Sequence, residues 1–239
     1  MPLRRLTGRV RSRWANVRLA GLLAFAAGLV DVSGYLGLRQ FTSHMSGITA
    51  TLAFSLAGHG RAIFTDAGLI LSSFLCGAAV CALLVNFSRR RNGESQFALP
   101  LLLESVLLGA VALSIRHNPA PIWLLGVLAF AMGLQNAIIT KISDAEIRTT
   151  HVTGTITDIG IELGRAIYWN RNATQPPVRV DRERLGMLVL LVVGFFIGGI
   201  LAAAAYPHYG FWILFPLALL LAIPTVLPIY ADVRKIGEA

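Results

Sequence analysis

Apolar residues in this chain gather in long unbroken stretches rather than alternating or recurring on one helical face. Six of them, near 19–38, 63–87, 98–115, 121–142, 185–206 and 209–231, are long enough to cross about 30 Å of hydrocarbon at about 1.5 Å per helical residue. Polar punctuation separates them. Arg89 to Glu94 reads as an aqueous loop, Pro119 and Pro121 open the fourth stretch, and Tyr206, Pro207, Tyr209 and Trp212 predict an interfacial turn between the last two. Ala24-Phe25-Ala26 has the small-residue look of a signal cleavage site. The apolar run continues past it to Leu38, however, which predicts a retained anchor.

Two further segments, about 46–58 and 152–166, are apolar but short, and they carry hydroxyls or charges, among them Asp158, Glu162 and Arg165. Helices of this kind are tolerated at membrane depth only where protein or a water-filled cavity surrounds them. Either they span, giving eight crossings, or they dip in and return, giving six.

Composition agrees with a bilayer. The chain is 55% hydrophobic and only 14% charged, against about 25% charged in ordinary globular domains. Disorder, a disulfide-stapled secreted domain and a water-soluble enzyme all fit poorly. The net charge of +9 is not a nucleic-acid patch, because Lys and Arg cluster beside the apolar stretches. With six crossings, re-entrant short segments and an inside N-terminus, only Arg39, Arg61 and Arg116 fall outside, a division of 18:3; with eight crossings it is 15:6. The positive-inside rule therefore favours six, with both termini cytoplasmic in a bacterial inner membrane and the basic loops against anionic lipids. Cys76 and Cys81 lie five apart in one apolar run, on different sides of a helix, and read as small hydrophobes rather than a disulfide or metal pair.

The chain also repeats itself. Leu23-Ala24-Phe25-Ala26-Ala27-Gly28-Leu29 matches Leu128 to Leu134, Ser43-His44-Met45-Ser46-Gly47 matches Thr150-His151-Val152-Thr153-Gly154, and Gly60-Arg61-Ala62-Ile63 matches Gly164 to Ile167. Three blocks in one order indicate duplication. The expected layout is a basic arm (1–18), a first membrane repeat (19–115), a second (116–231) and a short tail (232–239). In the six-span topology the repeats are inverted, a recurring build for transporters. The fold class expected is an all-α polytopic membrane protein with six transmembrane helices and two short re-entrant or broken helices.

Gly28, Asp31, Gly34 and Tyr35, followed by Phe41-Thr42-Ser43-His44-Met45-Ser46-Gly47, carry a family resemblance. The chain resembles the YoaK-like family of uncharacterised bacterial inner-membrane proteins over roughly residues 20–232. The resemblance implies a topology and a location but no activity. Ser46 and Ile48 depart from the family pattern, where Thr and Asn are usual; if that Asn is a ligand, its role is absent here.

The residues suited to chemistry sit in the repeated blocks. His44 and His151 each precede a short helix and are flanked by hydroxyls, with Ser46 and Thr153 expected as N-caps. Helix N-termini beside an imidazole suit an anion or polar oxygen and a proton relay. The competing reading is a structural turn pinned by hydrogen bonds. Asp31, with Gly28 and Gly34 around it, is an acid inside a span; its repeat counterpart is Asn136, beside Gln135. It is either a titratable site group or a structural acceptor for the neighbouring broken segment. Asp158 and Glu162 share a helix face, lining a vestibule or pairing with Arg165, while Glu104 is placed to reach Arg89 to Arg91 by snorkelling.

The leading functional reading is a channel or secondary transporter for a small polar or anionic solute. Its site would comprise His44, His151, Asp31, Asn136, Gln135, Ser46, Thr153 and Asp158. No nucleotide loop, metal-binding helix or nucleophile elbow occurs, so neither cofactor nor metal is expected, and the candidate partners are the bilayer, the unidentified solute and a second copy of the chain. An intramembrane enzyme using a His/Asp pair and a structural or partner-binding protein are the alternatives.

Overall fold

The computed structural model describes residues 13–58, 60–90, 96–114, 121–142, 152–170 and 176–237. Within them the chain is helix and turn. In order come α1 (Arg13–Leu38), α2 (Met45–Leu56), α3 (Arg61–Arg90), α4 (Ala98–Ser114), α5 (Trp123–Ile142), α6 (Val152–Ile167), α7 (Arg182–Tyr209), a 3-10 turn (Gly210–Ile213) and α8 (Leu214–Gly237). Every expected apolar segment is thus helical. Four stretches are long and apolar enough to cross a membrane: Asn16–Leu38, Ala62–Arg90, Trp123–Lys141 and Arg182–Val226, the last containing α7, the turn and much of α8. The apolar helices α4 and α2 are shorter, at 17 and 12 residues.

Two boundaries differ from the sequence expectation. A helix satisfies its own backbone and need not end where the hydrocarbon does, so α1 already includes Arg13 to Arg18, ahead of the apolar run. The turn expected over Tyr206 to Trp212 falls at the far end of that stretch. Helix α7 runs through Pro207 to Tyr209 and stops at Gly210, whose φ of 55° is ordinary only for glycine.

The long helices pack as pairs exchanged between the two halves: α1 lies along α7, α3 along α5, and α4 along α8. Glycine makes the first two pairs possible. A Cβ on Gly28 would sit 1.9 Å from the carbonyl oxygen of Phe195, and one on Gly198 would sit 2.0 Å from that of Phe25. In the other pair, Gly133 meets the carbonyl of Phe74 and Gly77 that of Phe130, each at 2.0 Å for the same construction. Without a hydrophobic force between helices in lipid, such backbone-close contacts supply dispersion energy that larger residues would forbid.

Chain direction follows from the contacts. Gly21 faces Leu190 while Gly199 faces Val32, so α1 and α7 run the same way; Gly126 faces Leu69 while Gly77 meets Leu134, so α3 and α5 also run the same way. Helices α1 and α5 run oppositely, because Gln135 Nε2 donates to the Leu23 carbonyl while Leu128 lies against Gly34. Ser105 ties α4 to α8 through a 2.7 Å bond to the Ala218 carbonyl.

Leu23, Ala27, Leu128 and Met132 lie in the central core, while Ile48 seats α2 on Ala67, Ile70 and Leu125. The outward faces of α3, α7 and α8 expose Leu75, Leu83, Phe196, Ile200 and Leu219. On a soluble protein this much apolar surface would be an aggregation hazard. Facing lipid, it is the ordinary exterior of a helical membrane protein.

Candidate functional site

The bend after α1 is built on one carboxylate. Asp31 is fully buried, and its Oδ1 accepts from the Thr42 N–H, the Thr42 hydroxyl and the Ser43 N–H, each at 2.9 Å. Its Oδ2 accepts from the Ser43 hydroxyl. Four donors thus surround a buried carboxylate that lipid would not accept without polar partners. Of the two sequence readings of Asp31, the acceptor for the neighbouring broken segment is the one these bonds describe.

Immediately beyond, His44 Nε2 stands 3.7 Å from Asp31 Oδ2. The imidazole stacks on Phe41 at 4.4 Å between centroids, and Phe41 stacks on Tyr35 at 4.7 Å. These contacts fix one ring face and leave the His44 side chain 42% exposed. The N-cap of α2 is His44 rather than Ser46, because the Ile48 N–H already closes the first turn onto the His44 carbonyl at 3.0 Å. Ser46 is therefore inside the first turn, and its hydroxyl is no cap. Thr153 has the same place in α6, which begins at Val152. Neither helix carries an acid in its first turn to neutralise the positive end of its dipole.

A cavity of about 880 Å³ opens where these helix starts approach each other. The first half contributes Ser43 to Gly47 and Phe74; the second contributes Asn136 and Thr140 from α5, Val152 and Thr153 from α6, and Phe195 from α7. The structure thus brings together His44, Ser46, Asn136 and Thr153 of the expected set. Asn136 also bonds back to the Met132 carbonyl at 3.0 Å through Nδ2, which orients its amide.

Other expected residues lie elsewhere. His151 falls outside the described residues. Gln135 is buried beside the Leu23 carbonyl, with its Oε1 accepting no hydrogen bond, and it serves the α1–α5 contact. Asp158 is not in the cavity wall; Arg184 of α7 donates to its Oδ2 at 2.9 Å. Glu162, 1% exposed, accepts from Arg165 at 2.7 Å and from the Asp181 N–H at 2.9 Å. Asp181 in turn caps α7 through the Arg184 N–H. The acidic face of α6 is a strap onto the start of α7. Glu104 is also buried, forms no ion pair with Arg89 or Arg90, and has an Oε2 without a hydrogen-bond partner. Among the described residues no cluster of His, Cys, Asp and Glu has the arrangement of a metal site.

Phe74, Phe195 and Thr140 were missed as cavity residues. A signal for the first two was present: Phe-x-x-Gly occurs at Phe25/Gly28, Phe74/Gly77, Phe130/Gly133 and Phe195/Gly198, and these are the four backbone contacts described above.

Fold, apolar exterior and buried polar bend define a helical membrane protein. The family model described as "Protein of unknown function (DUF1275)" matches residues 19–227, so the chain belongs to that family. It is similar to the UPF0700 transmembrane protein YoaK of Bacillus subtilis (strain 168), with 29% identity over 211 residues, covering 86% of this chain and 91% of the relative. It is likewise similar to the UPF0700 transmembrane protein RA0705 of Rhizobium meliloti (strain 1021), with 29% identity over 191 residues, or 80% and 79% of the two chains. No solved structure matches.

Proposed function

We propose that this protein is a channel or secondary transporter for a small polar or anionic solute, with its site between two inverted repeats. The observation that carries the proposal is the cavity wall, to which the starts of both short helices and a polar residue of α5 contribute. Two helix starts with no acid of their own in the first turn, and an imidazole beside one of them, form a setting for polar or strongly dipolar groups.

Chain direction supports the inverted arrangement. If α2 and α6 both spanned, α1 and α5 would run the same way; if both re-enter, they run oppositely, as Gln135 against Leu23 and Leu128 against Gly34 require. The matched contacts Gly28–Phe195 and Gly133–Phe74 support two repeats related by a pseudo-two-fold axis. In this arrangement the six crossings are α1, α3, α4, α5, α7 and α8. Both termini are cytoplasmic in a bacterial inner membrane, and the basic loops meet anionic lipid.

Flux from proteoliposomes tests the proposal. Wild-type protein is expected to conduct at least one class of neutral, anionic or zwitterionic solute above empty vesicles, and His44→Leu and Asn136→Leu are each expected to lower that flux about tenfold. Folded, correctly inserted protein that passes no solute class would end this reading. The 3.7 Å approach of His44 to Asp31 favours one competitor, an intramembrane acid–base enzyme. That enzyme would need His44 while tolerating Asn136→Leu, since its chemistry would reside in one half.

A further inference from the structure

The cavity wall is divided in its chemistry. Ser43, His44, Ser46, Asn136, Thr140 and Thr153 supply polar groups, while Phe74, Phe195, Met45 and Val152 are apolar. Among the described lining side chains only the imidazole can carry charge, and Asp31 lies beneath the Thr42–Ser43 bend with four donors around it.

Size narrows the occupant further. At about 880 Å³ the space lies within the range of roughly 300–1,000 Å³ found for sites that take organic ligands. A water molecule or small inorganic anion fills only a small part of it, a water's share of liquid volume being about 30 Å³. A bare ion needs polar partners on all sides to replace its hydration. The part of the wall formed by Phe74, Phe195, Met45 and Val152 does not provide them.

The positions of Phe74 and Phe195 are also unusually constrained. Each residue's backbone carbonyl abuts a glycine of the neighbouring helix, Gly133 and Gly28 respectively, so each ring enters the wall from a point where two helices touch backbone to backbone. One ring belongs to each half of the chain. Rigidly based aromatic surfaces suit an apolar body and lose little side-chain freedom on binding it.

From these observations, and resting on the reading of the cavity as a solute site, we infer that the solute is an organic molecule with a polar or anionic head and an apolar body. Phe74 and Phe195 receive the body. The side of the wall carrying His44 and Asn136 receives the head.

Phenylacetate and phenylacetamide are suitable probes for such a site, with glycerol and chloride as solutes lacking an apolar body. Purified full-length protein is assayed for a probe-induced rise in Tm, and the same protein in liposomes for uptake. Wild type is expected to be stabilised by at least one phenyl probe at millimolar concentration and to be indifferent to glycerol and chloride. Phe74→Ala and Phe195→Ala are expected to weaken the apparent affinity at least tenfold, and Phe74→Leu and Phe195→Leu, which keep an apolar side chain and guard against misfolding, by less. Uptake of chloride or glycerol by protein that neither binds nor takes up a phenyl probe would overturn the inference while leaving transport intact. So would phenyl affinities unchanged in all four variants. Phenyl binding that depends on both rings, without uptake of any probe, would uphold the inference and overturn transport, and folded protein that neither binds nor passes any probe would overturn both.

Discussion

Asp31 holds Ser43 at two points, its Oδ1 accepting the backbone N–H at 2.9 Å and its Oδ2 accepting the hydroxyl. With Thr42 bound to the same carboxylate, the bend after α1 is secured by a group in the middle of that helix, and the start of α2 is placed with it.

Replacing Asp31 therefore acts on the bend before it acts on any solute. Asp31→Ala leaves two buried N–H groups and two hydroxyls without acceptors, each costing about 1–3 kcal/mol in the buried setting. The expected outcome is a large fall in Tm or failure to accumulate in the membrane. Asp31→Asn keeps an oxygen for the three Oδ1 donors, and the Ser43 hydroxyl can rotate to accept from the new amide. It is expected to fold with only a small loss of Tm. Equal damage by both substitutions, measured by thermal unfolding in detergent, would show that the charge itself is required.

The glycine contacts make a second prediction. A methyl group on Gly28 or Gly133 would fall about 2 Å from a backbone carbonyl, and backbone cannot yield as a side-chain tip can. Gly28→Ala and Gly133→Ala are each expected to separate a helix pair and lower stability by about 1–3 kcal/mol, the usual range for overpacking. Gly68→Ala, where an added Cβ would meet nothing within 4 Å, is the matched control and is expected to leave Tm unchanged or slightly raised.

Glu162 supports a third. Its carboxylate joins Arg165 to the Asp181 N–H, so Glu162→Ala strands a backbone donor and is expected to cost about 1–3 kcal/mol, while Glu162→Gln retains an acceptor and costs less. Asp158→Asn is expected to change stability by less than about 1 kcal/mol, because the Arg184 pair is substantially exposed and solvent screens it. Protease sensitivity of the α6–α7 region, compared among the three variants, reads the difference.

The fourth prediction separates six crossings from eight. Reporter fusions after residue 93 are expected to behave as cytoplasmic, like fusions at the C-terminus, giving fluorescent GFP and inactive alkaline phosphatase. Active alkaline phosphatase at residue 93 would mean that α2 spans.

Much of this protein's class was legible in order of sequence alone. Continuous apolar runs mark membrane helices because every backbone group in lipid must be satisfied within its own helix, and such local bonding needs no information from distant residues. The repeated blocks and the Ser43-to-Gly47 resemblance likewise pointed to the family that residues 19–227 match. The destination of each polar group was another matter. Whether Asp31 faced a solute or the next bend, whether the Asp158 and Glu162 face lined a vestibule or formed ion pairs, and which residue capped α2 all depend on which segments approach within about 3 Å. Residues far apart in the chain decide that. Phe74 and Phe195 illustrate it best: their Phe-x-x-Gly spacing is visible in the sequence, but which helices meet there is not, and only the backbone contacts at Gly133 and Gly28, from the opposite half of the chain, put both in the wall of one cavity.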